Sequence, residues 1–461
     1  MKPQSFREYT AIIFLLAVSC YSSLGQVDES AGLESIRANH SLPGLSAVMV
    51  KEGIVVARGA AGKRRVGNST PLRISDRVNM ASCTKFMTAT IAARLVDQKK
   101  ITWNTRVRDV FAGSGKFHAS FRDVTLDELL AHRAGVQDGA TFESRYWNKL
   151  FTRSGSVMEI RRWVAETVLK DAPQVSRGTY LYSNQGYTVA AAMMEQITGK
   201  SWEKLIQAEV IKPLRLDSGV LGISYNASTT PVAPHGHDLA AGSFTPIART
   251  VPPDAYLKYY SASNAAGGYF ASSITDYAKF IHAHLTVEDS FYLTEDSGLR
   301  LQTPWAGGDG YGRGVSAVTR SWATPGRALQ HSGDIFGHNT VFWASPGRDI
   351  VVVAFTNCRS ADMRVSNGLD SAVSLLLSKY LNAPASGAIL EKPSLGAIRK
   401  RNGKYSVTGT TLPTLSYNLQ NRTAGQSWQT IYGPFQADNW SAIFHLPAEY
   451  ANANLRLVPA W

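Results

Sequence analysis

Residues 80–87 read Met-Ala-Ser-Cys-Thr-Lys-Phe-Met (MASCTKFM), and the meaning of Ser82 and Lys85 in that stretch decides how the rest of the chain is read. Positions i and i+3 share a helix face, with Cβ atoms about 5–6 Å apart, so a helix starting here brings the lysine within reach of the hydroxyl. A serine needs such a base to become a nucleophile. The lysine must be neutral to serve, and desolvation or nearby positive charge lowers its pKa. A helix N-terminus would also turn backbone N–H groups toward a developing oxyanion. The bland reading is equally open at this point. The following FMTATIAARLV is apolar on nearly every side, as in any buried helix, and Ser82 would then only start it. S-x-x-K also recurs at Ser201/Lys204 in GKSWEKLI, where Ser201 reads as the N-cap of a helix following Gly199.

Around this stretch the pattern is strands at both ends and helices between. LSAVMVKEG and IVVARGAAG read as a hairpin over 45–62 turning near Gly53. Residues 125–300 carry mainly helical patterns, such as SVMEIRRWVAETVL and YTVAAAMMEQITG. Ser273-Ile-Thr-Asp276 predicts a capping box ahead of DYAKFIHAHL. Strand patterns return at 313–319, 338–345 and 349–357, with Pro346-Gly347 turning between the last two, and VSNGLDSAVSLLLSKYL closes as a helix. The expected architecture is a mixed α/β (α+β) domain: one mainly antiparallel sheet made from both ends, flanked by helices, with an inserted helical subdomain and a cleft between the layers. Residues 384–402 read as a linker, and 403–461 as a small β-rich C-terminal extension.

Two further motifs carry possible chemistry. Y-x-N occurs at Tyr146/Asn148, Tyr182/Asn184 and Tyr380/Asn382. The first and last fall in helical stretches, where packing explains the tyrosine. Only GTYLYSNQGY sets it in a glycine-flanked turn before a buried helix, where a phenol can face a cleft and relay protons. LQHSGDIFGHN places His331, Ser332 and Gly333 near the end of a β-run, and the glycine there permits close approach of a ligand to the backbone. Each motif alone also has a structural explanation.

Taken in order, S-x-x-K, Y-x-N and H-S-G resemble the serine β-lactamase and penicillin-binding-protein superfamily. The closer resemblance is to its class C β-lactamase-like branch of D-alanyl-D-alanine carboxypeptidases, D-aminopeptidases and family VIII esterases. LDELLAHRAGV, AGGYFASSITDYAKF, GYGRGV and EQITGKSWEKLIQAEVIKPL extend the resemblance over about residues 30–383. This ordered set tips Ser82 toward nucleophile. The resemblance implies an acyl-enzyme on Ser82, general-base and proton-relay work shared by Lys85 and Tyr182, and Asn184 binding substrate or Lys85. His331 would stand where β-lactamases of this branch carry lysine, tuning the relay or meeting a substrate carboxylate. Ser332, Gly333 and Asp334 would complete the substrate strand, with the N–H groups of Ser82 and Asp334 as oxyanion hole. The histidine lowers the expectation of efficient β-lactam hydrolysis. Asp334 and Arg133 depart from the family pattern, and the sequence assigns Arg133 no role.

The chain has 461 residues and a formal net charge of +13, with 44% hydrophobic and 18% charged residues, an ordinary globular composition. Lys2 and Arg7 before AIIFLLAVSC suggest a secretory signal over residues 1–25, hence a secreted or periplasmic protein. A lipid anchor at Cys20 is the less favoured reading, because LAVS is a poor lipobox. No stretch reaches membrane-spanning length. The remaining cysteines, Cys83 and Cys358, read as buried free thiols. The basic clusters KRR and RKR are too short to argue for nucleic acid. His235-Gly-His237-Asp238 lacks the spacing of a dinuclear zinc site, and no metal or organic cofactor is implied. Residues 26–383 are thus expected to form a serine hydrolase domain for a small-molecule or peptide substrate, cell-wall peptide among the candidates. A non-hydrolytic envelope sensor or scaffold is the rival reading.

Overall fold

The computed structural model describes residues 26–111, 117–222, 233–240, 242–247, 253–286, 292–359 and 362–385, with shorter stretches between 388 and 459. The segment 1–25, with Cys20, lies outside the described residues. An eight-stranded sheet forms the centre. Its strands are β1 (Val27–Asp28), β2 (Gly44–Lys51), β3 (Ile54–Gly62), β4 (Ser316–Val318), β5 (Ala328–Ile335), β6 (His338–Ser345), β7 (Ile350–Thr356) and β8 (Ala388–Ile389). They lie in the order β1-β3-β2-β7-β6-β5-β4, with β8 also on β3. All pairings are antiparallel except β1 with β3. The two ends of the chain meet where β2 pairs β7, Lys51 opposite Ile350 through Leu45 opposite Thr356. The β2–β3 hairpin turns through Glu52 (φ 51°) and Gly53 (φ 70°), the left-handed pair that a two-residue hairpin turn requires.

Helices cover both faces of the sheet, so its central strands are apolar without alternation. Period-2 geometry then divides them. Val48, Val50, Val351, Val353 and Phe355 join the large core shared with the helical layer. Ala47, Met49, Ile350, Val352 and Ala354 face the helices Ser30–Asn39 and Met363–Tyr380. The helical layer contains Thr84–Asp97, Val157–Lys170, Asn184–Thr198 and Pro253–Gly268. In the first of these only Arg94, Val96 and Asp97 escape burial, as its all-round apolar pattern predicts. No described helix is long and apolar enough to cross a membrane.

The finer details differ in instructive ways. Ser273 Oγ accepts from the Asp276 backbone N–H at 3.1 Å, but the expected reciprocal half of the box is absent. The Asp276 carboxylate instead receives the Ser218 N–H at 2.7 Å, and the Ser273 N–H goes to Ser218 Oγ at 2.9 Å. A short sheet of Val78–Asn79, Phe270–Ser272 and Val220–Leu221 was not anticipated, because two- and three-residue strands leave no periodic signal. The stretch 384–402 contributes β8 and the short strands Ser394–Leu395 and Arg399–Arg401. Beyond it the described strands gather around their own small core of Val407, Leu419, Phe444 and Leu446.

The N-terminus of helix Thr84–Asp97 is wedged against β5. A Cβ on Gly333 would lie 2.4 Å from the Met80 carbonyl oxygen, 2.7 Å from Ser82 N and 2.9 Å from Ala81 Cβ. Backbone atoms cannot yield as a flexible side chain can, so Gly333→Ala is expected to destabilise by about 1–3 kcal/mol in chemical denaturation. Ser201 behaves as the capping residue expected: its Oγ accepts from Lys204 N at 3.3 Å, at the start of helix Trp202–Ile206. Ser201→Ala should therefore cost about 1 kcal/mol of stability and leave any Ser82-dependent turnover unchanged, as measured by denaturation and by rate.

Candidate active site

The turn carrying Ser82 is held from both sides. Met80 N donates to Phe270 O at 2.9 Å, and Thr340 Oγ1 donates to Asn79 O at 2.9 Å. Ala81 then takes φ 47°, the left-handed region that disfavours residues with a Cβ. Residues Ala81–Cys83 form one 3-10 turn leading into helix Thr84–Asp97. Cys83 is fully buried and its Sγ lies 3.6 Å from His331 O, facing the sheet. Burial pushes its thiol up to about 12. Cys83 is thus a protonated packing residue, and Cys358 is likewise buried and free.

Lys85 is fully buried, and its Nζ meets three oxygens from separate parts of the chain. They are Ser82 Oγ at 3.0 Å, Asn184 Oδ1 at 2.7 Å and the Gly267 carbonyl at 2.7 Å. Asn184 opens helix Asn184–Thr198, which Ser183 caps by accepting from Gly186 N at 2.9 Å. Gly267 lies at the end of helix Pro253–Gly268. Burial lowers the Lys85 pKa to about 7. Two of its partners can only accept, so two N–H groups are committed to them. The third direction faces Ser82 Oγ, where an ammonium places a proton and a neutral amine its lone pair.

Tyr182 sits over this nitrogen, its ring centroid 4.7 Å from Lys85 Nζ. Burial raises its phenol well above the ordinary range, against the pull of a hydrogen bond with Ser82. It therefore remains a protonated donor at neutral pH. The turn bearing it is aligned by His132, a buried residue at φ 58°. Leu181 N donates to His132 O at 2.9 Å, Ser183 N donates to His132 Nδ1 at 3.0 Å, and the imidazole lies 4.3 Å from the Tyr182 ring centroid. Because Nδ1 accepts, the His132 proton belongs on Nε2. Burial, with the charge of Lys85, keeps that ring neutral.

His331 is buried on β5. Its Nδ1 lies 2.6 Å from the Ser332 carbonyl and its Nε2 3.1 Å from Tyr311 Oη. This fixes the tautomer: Nδ1–H donates to the carbonyl, and Nε2 accepts the tyrosine proton. Burial and then the Lys85 charge lower its pKa to about 3. Both nitrogens are engaged within the protein, so the expectation that His331 meets a substrate carboxylate finds no geometric support. Its ring stands 6.3 Å from that of Tyr182.

The Ser332 and Asp334 side chains are exposed, on the face of β5 opposite His331 and Gly333. Asp334 and Ser82 line one cavity of about 40 Å³ with Asn184, Gly267, Asn264 and Tyr260. Ser82, Lys85, Tyr182 and Asn184 are thus drawn together, Gly333 backs them, and His331 connects through Tyr311. Reading residues alone assigned no role to His132, Tyr311 or the Gly267 carbonyl, although each lies inside a motif already noted. Their parts are played by packing or backbone, which a residue pattern does not display. His237 is not free to bind metal: Nε2 accepts from Val66 N at 3.0 Å and Nδ1 lies 2.7 Å from Asn357 O. Among the described residues no group of three or more histidine, cysteine or acidic side chains could hold a metal ion.

Comparison with known proteins adds to this geometry. The chain is 31% identical over 216 residues to an unguisins hydrolase of Aspergillus campestris, covering 44% of this chain and 37% of that protein. The first curated relatives are matched over less than half their length. Among solved structures, the octameric penicillin-binding protein homologue from Pyrococcus abyssi superposes with a TM-score of 0.61 at 19% identity, covering 90% of this chain and 96% of that one. The D-amino acid amidase of Ochrobactrum anthropi SV3 superposes with a TM-score of 0.58 at 20% identity, covering 76% and 98%. These likenesses establish the shared fold. The beta-lactamase family model matches residues 30–373, well over half of the chain, and the protein belongs to that family.

Proposed function

We propose that the protein is a serine hydrolase that forms an acyl-enzyme on Ser82 and acts on amides or esters. The observation that carries this reading is Lys85: buried, lowered to about 7, and 3.0 Å from Ser82 Oγ with two N–H groups committed elsewhere. In its neutral form the lysine accepts the Ser82 proton as Oγ attacks the carbonyl carbon. Tyr182, held as a neutral phenol over Lys85, passes its proton to the departing group as it takes the Ser82 proton on from Lys85, so the phenol and the neutral amine are both restored. Ser82 N and Asp334 N receive the carbonyl oxygen as it becomes negative. The close approach of Gly333 to Ser82 N supports that pairing. Water then attacks the acyl carbon, neutral Lys85 accepts its proton, and the relay returns a proton to Ser82 Oγ as the acyl bond breaks. His331 acts by ordering Tyr311 and the relay wall.

The names of the relatives, a hydrolase and an amidase, favour amide or ester turnover, and nothing here favours the sensor or scaffold alternative. Substrates with a carboxylate next to the scissile bond, such as cell-wall peptides and β-lactams, lack an evident cationic partner in His331 and are expected to be the poorer class. The N-terminal pattern over 1–25 supports export as the setting of this activity.

Hydrolysis of p-nitrophenyl butyrate is the direct test. The protein should turn the ester over, and Ser82→Ala should lower kcat by roughly 10³-fold or more with an unchanged melting temperature. Equal rates in the two proteins would remove Ser82 from the mechanism. The pH dependence follows from Lys85, whose pKa is depressed and whose neutral form is the base. kcat/KM should therefore rise with pH through a midpoint near 7 and level off above it. A rate that falls with pH across that range would show that the protonated form is the active one.

A further inference from the structure

Arg133 follows His132 directly, and its side chain is 8% exposed. A buried guanidinium needs a reason, since an uncompensated charge there is costly. Its contacts supply one. Nη2 donates to Asp309 Oδ1 at 3.1 Å and Nη1 to Gly178 O at 3.3 Å, while Cζ lies 5.1 Å from the Tyr180 ring centroid. In return Gly178 N donates to Arg133 O at 2.8 Å. The Asp309 oxygen that pairs with Arg133 also accepts from Tyr311 N at 3.2 Å. Gly308 is fitted to the same side chain, since a Cβ there would lie 2.3 Å from Arg133 Nη2. One guanidinium thus ties together three segments: the turn of His132, the strip 178–182 ending in Tyr182, and the loop 308–311 ending in Tyr311.

We propose that Arg133 is a positioning residue, whose ion pair with Asp309 sets the spacing between the Tyr182 strip and the Tyr311–His331 pair across the Lys85 nitrogen. This rests on the hydrolase reading above. Arg133 touches no reacting atom. It acts through residues that do, because the rings of His132, Tyr180 and Tyr311 pack between the clamp and the relay. His132 lies 4.9 Å from Tyr311 and 4.3 Å from Tyr182, and Tyr180 lies 5.9 Å from Tyr311, measured between ring centroids. Loss of the clamp lets the two strips separate and admits water beside Lys85. The titratable groups around that lysine are Cys83, His132, Tyr182, Tyr187 and His331. None of them is a counter-ion, so burial controls its pKa, and added water moves that pKa upward.

The test is steady-state ester hydrolysis as a function of pH in the parent, Arg133→Ala, Arg133→Lys and Asp309→Asn. Arg133→Ala and Asp309→Asn are each expected to lower kcat about 10- to 100-fold, with KM within about three-fold of the parent. In both, the acid limb near 7 should move up by half a pH unit or more. Arg133→Lys should recover part of kcat, and Arg133→Ala combined with Asp309→Asn should be no worse than the poorer of those two single variants. Titrating the fraction of acylatable Ser82 corrects each rate for unfolded protein. A corrected kcat and acid limb equal to the parent's in Arg133→Ala would overturn the proposal while leaving the hydrolase reading intact. A parent without Ser82-dependent turnover would overturn both.

Discussion

The structure depends on keeping one lysine dry. Transferring an ammonium group from water to a protein interior is unfavourable unless other groups replace its hydration, and Lys85 obtains its three replacements from Ser82, Asn184 and Gly267. No two of the three come from one segment. The Ser82 turn is supported by β5 and β6, Asn184 by the His132 turn, and Gly267 by the end of the long helix behind it. Gly314, at φ 77°, packs against the backbone of the same helix, where a Cβ would lie 2.5 Å from the Lys85 carbonyl oxygen. Sheet, helical layer and connecting loops must therefore all be in register before the lysine is satisfied. The compensation is incomplete, because the acceptors do not carry full charge, and the lowered pKa is the residue of that shortfall.

That dependence explains which parts could be read from the sequence. The hairpin, the β6–β7 pair and the helices follow local rules of periodicity, capping and turn chemistry, and they lie close to where those rules put them. Ser201 and Ser82 illustrate the boundary. Both precede a lysine by three positions, yet Ser201 caps a helix whose Lys204 is exposed, whereas Lys85 is fully buried. Only the surrounding motifs separated them in the sequence. Local rules fail where a partner arrives from far along the chain. Ser218 takes the carboxylate of Asp276 from a capping box, and Asp309 gives Arg133 an ion-pair partner that its neighbours in sequence do not suggest. His331 stood out in the sequence as a candidate, but the commitment of both its nitrogens depends on Tyr311 and a backbone carbonyl.

The electrostatics of the site follow from the same exclusion of water. His132 and His331 are both neutral, Tyr182 is a neutral phenol, and Cys83 remains a thiol. Around Lys85 stand groups that cannot neutralise it by charge, and the large charges are placed further out. Arg133 is paired with Asp309, while Asp127 receives both Arg300 and Arg313. Charge is thereby used to hold loops, and hydrogen bonding to hold protons. In the proposed reaction Lys85 therefore changes protonation without requiring any neighbour to ionise first.

The remaining step is what distinguishes turnover from mere acylation. An acyl-enzyme is released only if water reaches the carbonyl from a position where a base can accept its proton. Beside Ser82 lies a cavity of about 40 Å³ lined by Asn184, Asn264 and the Gly267 backbone. That is enough room, and enough polar surface, for an ordered water with two or more partners. Asn184 and Gly267 also hold Lys85, so water placed there would stand beside the lysine proposed as the base. Large acyl groups would fill the same space and compete with that water, since Tyr260 lines it and is backed edge to face by Phe336 at 5.4 Å. On the proposed acyl-enzyme mechanism, acyl size should therefore influence deacylation as well as binding.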